Sequence, residues 1–357
     1  MKEIAVSKRN ELDVYRGTVK RKYWMMAGSA LLLLAVILWS AAVGASTVNM
    51  GVVLQVLGEW LTGAVPAYDM QWNIVMNVRL PRIFAAAFAG GALSLAGLLM
   101  QGIFQNPLVS PYTLGVSNGA SFGASLAIVL SYKLPFMAFQ AYVIPAFAFF
   151  FAILTMLMVY AISRIAGHST RTLVLTGVAV GYLFSALVSG LKYVADVKDL
   201  PELIFWTMGS LKGLQWNIVG ILLAVLAISV VVAMLKAWDL NVMAQGQEEA
   251  MALGVDYKRI QIMTFVFTTI LTATAVSFTG VIGFVGLVAP HITRMLVGND
   301  YRYCVPLSVL LGSLLLLASD TLARTIFAPT ELPVGIITSL IGVPFYLYLV
   351  VRRRRVG

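Results

Sequence analysis

The side chains able to do chemistry in this 357-residue chain are few and scattered. The single cysteine, Cys304, cannot form an internal disulfide and offers no Cys-based metal or Fe–S site. The two histidines, His168 and His291, stand far apart, and no His/Asp/Glu group has metal-ligand spacing, so no metal site is expected. The dipeptide Gly-Lys is absent, which excludes a Walker A phosphate cradle; H-E-x-x-H is absent too. What remains is recognition through charge. Arg79 and Arg82 flank Pro81, and Arg324 follows Asp320 by four residues. A planar guanidinium can grip a carboxylate with two hydrogen bonds. Interfacial snorkelling and, for Arg324, an i,i+4 pair with Asp320 are alternative uses. The run Glu248-Glu249-Ala250-x-x-Leu253-Gly254 is amphipathic, and Gly254 is a candidate helix stop. It reads either as a short helix, turn and second helix that dock a soluble partner, or as a solvated loop. His291 and Arg294 share a helical face and are expected to anchor a helix end rather than relay protons.

Helices in lipid must position these groups. The chain is 60% apolar and only 11% charged, against roughly 25% charged for a soluble domain. Forty charged residues (25 basic, 15 acidic) cannot cover a soluble fold of this size. That excludes a cytosolic enzyme, a disordered chain and a secreted disulfide scaffold, and the long unbroken apolar runs exclude a β-barrel. The fold class is therefore an all-α polytopic membrane protein. Ten spans are expected at about 23–45, 82–104, 112–132, 139–163, 172–194, 216–237, 259–282, 284–298, 304–323 and 333–351. The first is longer than the roughly 7–15 residues of a signal-peptide core, so it reads as a retained helix. An even span number puts both termini on one side, and allocating every basic residue gives 18 on that side and 7 on the other. By the positive-inside rule both termini are cytoplasmic in the cell membrane.

The expected organisation is a basic cytoplasmic tail at 1–22, a transmembrane domain at 23–351 with a cytoplasmic loop at about 238–258, and a basic end at 352–357. Basic tails on an apolar body face anionic lipid, and no basic module carries the aromatics that nucleic-acid binding needs. Gly90, Ser94 and Gly97, and Gly115, Gly119 and Gly123, recur at helical spacing and are expected to let helices approach closely. An ion-coupled carrier would need a mid-span carboxylate or an ion-coordinating broken helix, and no acidic residue falls mid-span.

Gln247 to Gly254 resembles the EAA-type coupling loop of ABC importer permeases. Four longer blocks resemble the ferric-siderophore/cobalamin/haem (FecCD-type) branch: Arg79-Leu80-Pro81-Arg82, QGIFQNPLVSPYTLGVSNGA at 101–120, GFVGLVAPHITR at 283–294, and DTLAR at 320–324 followed by ELPVGIITSLIGVPFYLYL at 331–349. The resemblance runs from about residue 50 to the C-terminus. It implies a ten-helix subunit of type II ABC importer architecture, paired with a second permease copy around a central pathway. An ATPase dimer would dock on Glu248, Glu249, Ala250, Leu253 and Gly254. An extracytoplasmic binding protein would set acidic groups on Arg79, Arg82 and Arg324. The fifth helix and the segment after it would line the pathway, which points to Gly177, Gly181, Phe205, Trp206 and Met208. The chain itself would bind no cofactor and catalyse nothing, with ATP and Mg on the ATPase. The implied cargo is a metal chelate, a ferric siderophore first, with cobalamin and haem as alternatives.

Overall fold

In hydrocarbon every backbone N–H and C=O must be satisfied within the protein, so apolar runs near 20 residues become helices. The computed structural model describes residues 2–44, 48–63, 69–133, 140–167 and 170–353, and over these it is helical without strands. The helices are α1 (Lys2–Ala42), α2 (Met50–Thr62), α3 (Met70–Asn73), α4 (Leu80–Ile103), α5 (Val116–Lys133), α6 (Gln140–Ile165), α7 (Thr170–Val194) and α8 (Leu200–Met208). There follow α9 (Trp216–Leu235), α10 (Ala237–Met243), α11 (Gln247–Ala252), α12 (Tyr257–Thr279), α13 (Val285–Val297), α14 (Tyr301–Ala323) and α15 (Val334–Arg353). Among the described residues seven helices are long and apolar enough to cross a membrane. The shorter α5, α13 and α15 fall where the other three spans are expected.

Three departures have physical causes. The helix α1 starts at Lys2 rather than near residue 23, because nothing in the polar stretch before it breaks a helix. The start of α5 is Val116, not about 112, because Asn106-Pro107 and Pro111 hold the preceding residues in turns. Helix α2 has no counterpart among the expected spans. At 13 residues it is too short to cross, and it is delimited by an Asn49 side chain accepting from Val52 N and by Gly63 at φ 73°. His168, Arg354 and Arg355 lie outside the described residues.

Helix α4 is the centre. Every residue in it except Phe84 and Phe88 is buried, and it packs against α9, α12, α13 and α14. Small residues make this possible, because a Cβ on Gly90 would lie 2.4 Å from the Gly312 carbonyl oxygen of α14. One on Gly97 would lie 1.8 Å from the Gly286 carbonyl oxygen of α13. Between them Ser94 Oγ donates to the Ser308 carbonyl at 2.7 Å, and Ser313 Oγ donates to the Ala87 carbonyl at 2.6 Å. Gly119 and Gly123 do the same for α5 against α6, meeting Thr155 and the Phe147 carbonyl.

Upstream, α4 is continuous with α3 through a π-helical turn, Ile74–Arg79, in which Leu80 N bonds to the Val75 carbonyl five residues back. The Met76 carbonyl in this wide turn accepts the Trp216 indole N–H at 2.8 Å. A second irregularity separates α12 from α13, where Gly280 (φ 67°) and Phe284 (φ 66°) turn the chain between a 23-residue span and a 13-residue helix. Glycine accommodates the first, but Phe284 holds a conformation costly for a residue with a Cβ.

Candidate functional site

Three places collect the candidate residues. The first is α10–α11. Leu240, Val242 and Met243 are buried against the bundle, and so is Ala250. Glu248, Glu249, Met251 and Leu253 face outward. Gly254 is the stop its position suggests. At φ 77° its N–H bonds to the Met251 carbonyl and Val255 N bonds to the Ala250 carbonyl at 2.9 Å, closing α11 with two orphan carbonyls satisfied. Asp256 then caps α12, accepting from Arg259 N at 3.1 Å. The segment is tied to the start of α14, with Asn241 Nδ2 donating to Asp300 at 3.0 Å and its Oδ1 accepting from Tyr301 N at 2.8 Å. Hydrogen bonds from Arg302 and Asn241 hold the Asp300 carboxyl down at about 2. The result is a rigid knob with two carboxylates and two bare apolar side chains at its tip.

The second place is built on the end of α1. Arg82 grips Asp320 with two forks of hydrogen bonds at 2.9–3.1 Å and reaches Glu331 at 2.8 Å. Asp320 is completely buried, and Arg324, one turn on, lies 3.7 Å from it. Arg324 also donates to Ser40 O and Oγ, and Arg79 to the Ala41 carbonyl. The last carbonyls of a helix have no intrahelical donor and carry its negative dipole end, so two guanidinium groups are well placed there. Arg79, Arg82 and Arg324 are therefore all buried and bonded within the chain, and the Arg324–Asp320 alternative is realised. They do not stand out as free forks. Glu331 and Ser40 belong to this cluster and have no sequence signal, being separated from their partners by 249 and 284 residues.

The third place is a cleft of about 570 Å³ lined by Tyr112, Thr207, Met208, Gly283, Ser339 and Leu340, among others. It opens where the α12–α13 break meets α8 and α15. Of the five pathway candidates, Met208 lines it. Phe205 is exposed nearby, and Trp206 packs on the small cluster of Val129 and Leu203. Gly177 and Gly181 are elsewhere: a Cβ on Gly177 would meet Leu114 Cα at 2.7 Å, and the Gly181 carbonyl accepts from Asn118 Nδ2 at 3.0 Å. They seat α7 on the start of α5. Tyr112, Thr207 and Ser339 were not singled out by spacing. Tyr112 lies inside the 101–120 block, but nothing local distinguishes it.

A lipid-spanning bundle with a broken helix beside a cleft and a rigid polar knob at one end has the parts of a membrane permease. The profile of the FecCD transport family matches residues 32–352, and the chain belongs to that family. It is 38% identical to the hemin transport system permease protein HmuU of Yersinia pestis, over 92% of this chain and 96% of that one. It is 43% identical to the cobalamin import system permease protein BtuC of Halobacterium salinarum, over 77% and 73% of the two chains. The solved structure of a metal-chelate type ABC transporter in an inward-facing conformation matches with a TM-score of 0.78 at 33% identity, covering 92% of this chain and 98% of that one. The chain is a multi-pass ABC importer permease.

Proposed function

We propose that this permease imports a metal chelate, most simply a ferric siderophore, with haem and cobalamin as the alternative cargoes. The relatives' names support the chelate class, and the largely apolar cleft suits a bulky chelate that slides rather than binds tightly. The observation that carries the mechanism is the α10–α11 knob. Its Gly254 stop and its Asn241–Asp300 tie make it stiff enough to pass a push into α14 and α12. A separate ATPase dimer, holding ATP and Mg, grips Glu248, Glu249, Met251 and Leu253, and closure of that dimer tilts the bundle between two packings. This places the knob and both termini in the cytoplasm. A second permease copy covers the exposed apolar face of α7, which includes Leu175, Val178 and Tyr182. An extracytoplasmic binding protein docks at the opposite end. Its acidic groups reach Arg82 when Glu331, whose side chain is 37% exposed, yields its place.

Reconstitution in proteoliposomes with the cognate ATPase and binding protein tests this. Uptake of radiolabelled ferric siderophore should require ATP and all three components, and the double variant Glu249→Ala, Gly254→Ala should hydrolyse ATP without uptake. Uptake by the permease alone, or uptake driven by an ion gradient and abolished by an uncoupler, would refute it.

A further inference from the structure

The foot of α4, the loop after it, the end of α13 and the turn into α14 enclose a pocket of about 190 Å³. Its polar lining is Gln101, Gln105, Asn106, Arg294, Asn299 and Tyr301. The volume is many times the ~10–15 Å³ of probe-occupied space that one water needs. The charge inside it is uncompensated. Arg294 donates Nη1 to Gln101 Oε1 at 2.6 Å and Nη2 to the Leu98 carbonyl at 3.1 Å, and both partners are neutral. Among the described residues its guanidinium has no ion pair, whereas Arg82, Arg302 and Arg324 each face a carboxylate. A partly buried cation held in a fixed orientation by neutral acceptors attracts an anion more strongly than an exposed one, because water screens it less.

The other lining groups are hydrogen-bond donors on different sides. Asn106 Oδ1 is taken by Leu108 N at 3.0 Å, which leaves the amide Nδ2 to donate. The Asn299 amide stands at the rim. The buried Tyr301 hydroxyl accepts from Arg294 and has only a long contact, 3.4 Å, to the Leu98 carbonyl for its own proton. One cation and several donors arranged around a small volume match an anion with several free oxygens rather than a single point charge.

We infer that this pocket is a binding site for a phosphoryl oxyanion, supplied as inorganic phosphate or as the headgroup of an anionic phospholipid. Arg294 provides the counter-charge, and Asn106, Asn299 and Tyr301 provide further hydrogen bonds. Ala244, between α10 and α11, also lines the pocket, and Gln105 Nε2 reaches the Met243 carbonyl at 3.5 Å. Occupancy therefore bears on the base of the knob. The assignment rests on the pocket itself and stands whether or not the importer reading does.

The test uses the full chain, stripped of lipid in a neutral detergent. Inorganic phosphate is titrated at constant ionic strength against chloride, and thermal unfolding is followed. A saturable rise in Tm is expected. Asn299→Asp puts a carboxylate beside Arg294 at an exposed position and should weaken the apparent affinity at least about tenfold, or about 1.4 kcal/mol. Asn299→Leu removes a donor without adding charge and serves if the aspartate variant does not fold. In a second arm, phosphatidic acid is compared with phosphatidylcholine for displacing radiolabelled phosphate. Displacement by phosphatidic acid alone supports the site with a lipid source, and no displacement supports it with free phosphate. A Tm response that is the same in wild type and Asn299 variants overturns the proposal, as does the absence of a saturable response to phosphate and phosphatidic acid alike.

Discussion

Adding one methyl group at Gly97 tests whether α4 and α13 touch backbone to backbone. In Gly97→Ala the new Cβ would sit 1.8 Å from the Gly286 carbonyl oxygen and 2.8 Å from its Cα. Ordinary contact begins near 3.4 Å, so the two helices must part by about 1.6 Å. No rotamer change relieves this, since both sides of the clash are backbone. Overpacking of a tight core costs roughly 1–3 kcal/mol, and a backbone clash belongs at the upper end. Alanine returns about 1 kcal/mol through its helix propensity. A net loss of about 2 kcal/mol follows. The control is Gly220→Ala in α9, where the Cβ meets nothing within 4 Å and the propensity gain should stand alone. Unfolding of both variants in mixed micelles, read by tryptophan fluorescence, should place them about 3 kcal/mol apart. Equal stabilities would refute the close approach and, with it, the reason for small residues along α4.

Three further outcomes are expected. Asp320→Asn leaves Arg82 and Arg324 facing each other around a neutral amide and should cost about 3–5 kcal/mol, whereas Glu331→Gln, at a half-exposed pair, should cost under about 1 kcal/mol. Equal costs in the same unfolding assay would contradict the burial of Asp320. Gly254→Ala meets no atom within 4 Å, so its penalty is the left-handed backbone alone, about 1–2 kcal/mol. Faster hydrogen exchange at the Val255 amide in Gly254→Ala, with near-native exchange in Gly254→Asn, would confirm it. Asp300 has a depressed carboxyl pKa of about 2. Its contribution is therefore full above the unfolded value near 3.9 and is lost as pH falls from there towards 2. Stability measured between pH 2 and 5 should slope less in Asp300→Asn than in wild type, and an identical slope would show that Arg302 and Asn241 do not hold Asp300 as a carboxylate.

The spans were legible because lipid imposes one rule on every backbone group, and a run such as Trp216–Leu235 has no other way to obey it. Gly254 was legible for a similar reason, since its stop is written within six residues. Asn241 was not singled out, because its partners Asp300 and Tyr301 come from a different helix, although an Asp just before a helix start is a recognisable cap signal. The arginines were found by type, yet their surroundings were not. Nothing near Arg82 in the sequence announces Asp320 or Glu331, and a charge beside a span reads as solvent-facing until the tertiary contact is seen. Helix α2 lacked the length of a span, and Gly177 and Gly181 owe their place to a neighbour, Leu114, that local spacing does not reveal.

The π turn at Ile74–Arg79 amounts to one surplus residue in an otherwise continuous rod from Met70 to Ile103. Excising a residue there would let the rod heal as ordinary α-helix. Everything upstream would keep nearly its present orientation relative to α4, because the wide turn spreads one extra residue over about the same rotation. Such a deletion would instead give the Met76 carbonyl an intrahelical donor and strand the Trp216 indole without it. In this stretch the extra residue frees one carbonyl for a neighbouring helix, so a single gap between 74 and 79 should preserve the course of the rod and cost that one inter-helix bond.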